Sequence, residues 1–112
     1  MRLRLSPFVP SDLEEIADCI ARDSPRHALR TLRLLRAGMK EIAIQPQIYR
    51  LRPEIGADAR MAIVGNYVTL FRIRKSTVRT ERVVQGNRDL PPILEDDQDR
   101  TDWRRAGLRA VH

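Results

Sequence analysis

The sequence predicts an α+β fold: a helical hairpin packed on an antiparallel sheet, with elements in the order β-α-α-β-β-β. Three observations support this. Residues 60–64, 67–74 and 77–84 are strand-like runs separated by two-residue breaks, Gly65-Asn66 and Lys75-Ser76, which reads as an antiparallel meander. Upstream, two stretches place apolar residues every three or four positions and are joined too tightly for anything but a helical hairpin. Leu3 and Leu5 alternate with Arg2 and Arg4, the pattern of a short strand with one apolar face.

In chain order, Pro7 and Pro10 are expected to stop the first strand. Ser11 then reads as a helix N-cap, with Glu14 completing a capping box and Asp12, Glu14 and Glu15 placing negative charge in the first turn. Leu13, Ile16, Ala17 and Ile20 form that helix's apolar face. Ser24 caps a second helix, Pro25 occupies its first turn, and Pro46 ends it after about Ile44. Its apolar face is Ala28, Leu32, Leu35, Met39 and Ile42. Residues 45–57 form a loop. Gly65 supplies the positive φ that a two-residue hairpin turn needs. The domain is expected over residues 1–94, followed by a charged tail over 95–112 that is acidic first and basic after. Residues 100–110 could form a short amphipathic helix or stay mobile.

A chain of 112 residues implies one domain, and 42% hydrophobic residues suffice for a core without staples. With aromatics at 4%, that core rests on Leu, Ile, Val and Ala. The net charge of +6 favours acidic partners without choosing among nucleic acid, protein and membrane. Cys19 is the single cysteine, so no internal disulfide can form, which fits a reducing compartment. No apolar run reaches the length of a membrane span, and the N-terminus lacks the apolar stretch of a signal peptide. The expected localisation is cytoplasmic, with no membrane partner.

No metal-ligand cluster, Gly-rich phosphate loop or catalytic triad stands out, so neither a metal, a cofactor nor a catalytic residue is expected. What remains is arginine. Arg60, Arg72, Arg74, Arg79, Arg82 and Arg88 lie on the meander or just after it. Strand alternation puts Arg72 and Arg74 on the face shared with Val68 and Leu70, opposite Phe71 and Ile73, which mark the helix-covered side. Two readings stay open: a basic surface for phosphates or carboxylates, or solubility together with cross-strand pairs to residues such as Glu81.

The pieces Ser11-Asp12-Leu13-Glu14-Glu15-Ile16-Ala17, Ala21-Arg22-Asp23-Ser24-Pro25, Arg60-Met61-Ala62-Ile63-Val64-Gly65-Asn66-Tyr67 and Val83-Val84-Gln85-Gly86-Asn87-Arg88-Asp89-Leu90, in this order and spacing, resemble the RelE/ParE superfamily of type II toxin–antitoxin toxins. The resemblance implies the same β-α-α-β-β-β fold and a cognate ParD-like antitoxin. RelE-like members cleave mRNA on the ribosome with basic side chains on the sheet and a C-terminal tyrosine. ParE-like members poison DNA gyrase. At the positions matching the RelE-like groups this chain has Ala59, Met61, Val68 and Leu94, and only Arg88 matches. Apolar side chains neither move protons nor stabilise a phosphorane. The resemblance therefore implies a ParE-like toxin that arrests growth by inhibiting gyrase and is neutralised by its antitoxin. That is a binding protein rather than an enzyme, with any DNA contact made indirectly through the antitoxin. A RelE-like mRNA endonuclease is the alternative. Residues expected to touch target or antitoxin are Arg60, Arg72, Arg74, Arg82, Arg88 and Asp89.

Overall fold

A computed structural model describes residues 1–86. The elements are β1 (Arg2–Leu5), α1 (Phe8–Ala21), α2 (Pro25–Ile44), a single 3-10 turn (Pro46–Ile48), β2 (Arg60–Val64), β3 (Tyr67–Arg74) and β4 (Thr77–Gln85). They form one four-stranded sheet in the order β1-β4-β3-β2. The meander β2-β3-β4 is antiparallel, whereas β1 lies parallel to β4 with Arg2 opposite Thr77 and Leu5 opposite Thr80. The expected fold class stands, with one parallel pair in the sheet. Parallel neighbours need a long crossover, and the helical hairpin with the first two meander strands supplies it.

Local signals explain most boundaries. Ser24 is extended and its side chain accepts the His27 N–H at 3.2 Å, so α2 begins where a capping serine followed by proline allows it. Gly65 has φ +60° in the β2–β3 turn, and Lys75 has φ +57° in the β3–β4 turn. α1 departs from expectation. It starts at Phe8 with Pro7 at its N-cap, and Ser11 caps nothing. Ser6 supplies the start instead: its Oγ accepts the Phe8 N–H at 3.2 Å and its carbonyl the Val9 N–H at 3.1 Å. Pro10 fits inside the first turn because a helix leaves those N–H groups without intrahelical partners anyway. Asp12 is consequently pushed into the second turn, away from the helix dipole role expected for it.

The hairpin covers one face of the sheet. Val9, Leu13, Leu35, Met39 and Val83 form one buried cluster, and Ile42, Ala43, Ala62, Phe71 and Val78 a second. Gly38 lets α2 lie close to β2, since a Cβ there would sit 2.9 Å from Val64 Cγ2. The opposite face is also covered. Ile55 and Ala59, from the chain between α2 and β2, pack on Val68 and Leu70 in a third cluster. β3 is therefore buried from both sides over Val68, Thr69, Leu70, Phe71 and Arg72.

Leu35 is fully buried at the centre of the first cluster. Leu35→Ala is expected to cost about 2–5 kcal/mol, a large share of the roughly 5–15 kcal/mol that stabilises a typical domain. Urea unfolding with an unchanged slope and a lowered midpoint would report it. A midpoint equal to wild type would mean that this helix face is not the core.

Candidate functional site

β1 ends at Leu5, but β4 continues to Gln85, so the second half of β4 loses its parallel neighbour. The chain leaving β1 takes over that edge. The Ser6 backbone N–H donates to the Thr80 carbonyl at 2.8 Å, and its Oγ donates to the Glu81 carbonyl at 2.7 Å. Asp12 on α1 follows. One carboxylate oxygen accepts the Val83 N–H at 3.0 Å and the Arg82 Nε at 2.7 Å, while the other accepts Arg82 Nη2 at 2.8 Å. The Arg82 guanidinium also lies 5.8 Å from the centre of the Phe8 ring, within cation–π range.

A bulge makes this possible. Leu70 faces Arg82 and Phe71 faces Thr80, so Glu81 is an extra residue on β4. Its carboxylate takes Arg72 Nε at 3.1 Å and Arg79 Nε at 3.4 Å. Arg72 is 2% exposed, and one of its terminal nitrogens, Nη1, has no hydrogen-bond partner. Burial pulls the Arg72 pKa down, and the Glu81 charge opposes that shift.

The expected arginine surface is thus only partly assembled. Arg72 points away from the helices, as alternation predicted, but it is buried and paired with Glu81 instead of lying on an open basic face. Arg82 is taken up by Asp12. Arg60 donates through Nη1 to the Tyr49 carbonyl at 2.6 Å and to the Gln47 carbonyl at 3.2 Å, which ties the loop to β2. Arg74 is exposed at the end of β3. Arg88 and Asp89 lie outside the described residues, as does the tail over residues 95–112.

A feature without a linear signature is a groove of about 390 Å³ where α1, α2 and β1 meet. Leu3, Leu5, Leu13, Leu32 and Met39 line it, with Pro10 at one end. Glu14 stands on the α1 side, and Arg36 and Lys40 on the α2 side. Leu5 is 46% exposed. β1 is an outer strand of the sheet, and among the described residues nothing pairs with its outer edge. Apolar walls, charged lips and an open strand edge together suit an extended or amphipathic peptide. Among the described residues, no group of three His, Cys, Asp or Glu side chains could hold a metal ion, and no helix is long and apolar enough to cross a membrane.

A family model described as the ParE toxin of the type II toxin–antitoxin system, parDE, matches residues 3–90. The chain belongs to the ParE toxin family. Among solved structures, this ParE-family chain is similar to one titled the chromosomal ParDE TA system from P. aeruginosa. The TM-score is 0.67 at 18% identity, covering 76% of this chain and 95% of that one. That likeness speaks for the fold. No curated protein matched the chain.

Asp12→Ala would orphan the buried Val83 N–H and remove the carboxylate that Arg82 grips with two nitrogens. The expected cost is about 2–4 kcal/mol. Asp12→Asn, which can still accept from Val83, should lose less. Urea midpoints for the two variants test the order. If Asp12→Ala were as stable as wild type, the carboxylate would not be holding α1 to β4.

Proposed function

We propose that the chain is the toxin of a type II toxin–antitoxin module, that its target is DNA gyrase, and that a cognate ParD-like antitoxin neutralises it. Membership in the ParE family carries this reading. The sheet supports it further. Ala59 and Val68 are buried and Met61 is half-buried, all three in the cluster with Ile55 and Leu70. The positions that would bear basic catalytic groups in a ribosome-dependent nuclease serve packing here. Purified chain is expected to reduce supercoiling by gyrase, and its expression without antitoxin to arrest growth with a DNA-damage response. Intact supercoiling together with mRNA cut in ribosomal A sites would replace gyrase by the ribosome.

Arg88 is proposed as a target contact, through a guanidinium fork that Lys does not reproduce. Arg88→Ala should lose toxicity while keeping its melting temperature and its antitoxin binding, and Arg88→Lys should be partly toxic. A stable, fully toxic Arg88→Ala would reduce the residue to surface charge.

The antitoxin is proposed to lay an extended segment along the hairpin groove and the outer edge of β1. Its apolar side chains would enter between Leu5, Leu13 and Leu32, and its carboxylates would meet Arg36 and Lys40. Lip charges chiefly speed encounter, so added salt should slow association more than it hastens release. Stopped-flow measurement of both rates between low and physiological salt tests this, and a salt-insensitive association rate would contradict it.

A further inference from the structure

Arg26, Arg30, Arg33, Arg36 and Lys40 all lie on α2 and all are exposed. At about 3.6 residues per turn they fall within an arc of about 120°, and at about 1.5 Å per residue the row is about 21 Å long. The only acid of α2, Glu41, sits at the margin of that arc. Among the described residues none of the five cations has an ion-pair or hydrogen-bond partner. The sheet and loop arginines are the reverse case. Arg52 pairs with Glu54, holding that carboxyl below its ordinary range, Arg72 and Arg79 pair with Glu81, and Arg82 pairs with Asp12. A row of like charges three and four residues apart works against its own helix, and external anions would relieve it.

We propose that the outer face of α2 binds the phosphate backbone of duplex DNA directly, without reading its sequence. Four of the five cations are arginines, whose planar fork suits phosphate oxygens. The helix has no Phe, Tyr or Trp on which an unpaired base could stack, and its one imidazole, His27, lies outside the cationic arc, which disfavours single strands. No Asn or Gln interrupts the row to read base edges. A protein partner would want an apolar anchor amid the charges. The large apolar residues on this arc are Leu29 and Ile44, which stand near its opposite ends about 22 Å apart, too far for one buried centre. The inference goes beyond the gyrase reading and does not rest on it. It also departs from the expectation that DNA is reached only through the antitoxin.

The test is fluorescence anisotropy of a labelled 20-base-pair duplex, titrated with the full chain between about 50 and 200 mM salt. The wild type should bind two unrelated duplex sequences equally. The slope of log K against log salt should lie near −3.6 to −4.5, about 0.9 for each of four or five phosphates. Arg26→Gln/Arg30→Gln/Arg33→Gln removes three charges with a good helix former. It should bind at least about tenfold more weakly, with a slope shallower by about 2.7. Arg2→Gln/Arg4→Gln/Lys75→Gln removes the same net charge from a sheet edge and a turn, and should keep the wild-type slope. Absence of wild-type binding at the lowest salt would overturn the proposal, and that outcome requires no variant to fold. Equal losses in both triple variants would overturn it in favour of diffuse net charge. Displacement of the duplex by poly-glutamate at equal charge concentration would make the face one for acidic protein. Gyrase inhibition surviving any of these results would leave the proposed target intact.

Discussion

On the side facing β1, half of β4 lacks a strand neighbour, and backbone groups on a covered sheet edge need partners. That requirement organises the fold. Ser6 and Asp12 meet it with a hydroxyl and a carboxylate instead of another strand. Because Asp12 belongs to α1, satisfying the edge also fixes where the helix crosses the sheet. Once α1 is placed, Val9 and Leu13 meet Val83, and α2 follows through the tight hairpin to bring Leu35 and Met39 onto the same cluster. The groove at β1 exists because α1 leaves the strand at this point and covers β4 instead of β1.

The bulge at Glu81 joins this clamp to the other side of the sheet. It interrupts alternation, so that Glu81 meets Arg72 and Arg79 while Arg82 is engaged by Asp12. A buried ion pair is weak evidence of net stabilisation, since desolvation offsets much of the attraction. It does oppose register slips: moving β4 by one residue would leave Arg72 charged and without its carboxylate. Burial on both sides of β3 makes the register matter twice over.

The fold was legible where signals are local. Ser24-Pro25 marked a helix start, Pro46 a stop, and Gly65 a turn, and each depends on the backbone of its own few residues. Ser11 is a false cap signal because a serine followed three residues later by glutamate also occurs inside helices, and Pro10 is no strand stop because the first helical turn accepts proline. The burial of Arg72 was hidden by the assumption that the sheet has one covered face. Val68 and Leu70, apolar neighbours on that same face, were the available sign that something covers it, and Ile55 and Ala59 do so. The bonds of Arg82 had no linear sign, because a bulge is created by pairing between strands. The cations of α2 are plain in the sequence, but only the structure shows that, among the described residues, they have no partners.

The parallel pairing of β1 with β4 has a consequence for synthesis. Residues 2–5 emerge before residues 77–80 and must wait for them to find their place. A helical hairpin can form early from contacts close in sequence, whereas closing a loop of this length is entropically slow and comes late. The groove next to β1 and the Asp12 clamp on β4 therefore mature together, once β4 has been made. A ribosome stalled before β4 would display the two helices without a finished sheet. Truncated products should then carry neither the completed surface of the toxin nor the strand edge that its inhibitor is proposed to grip.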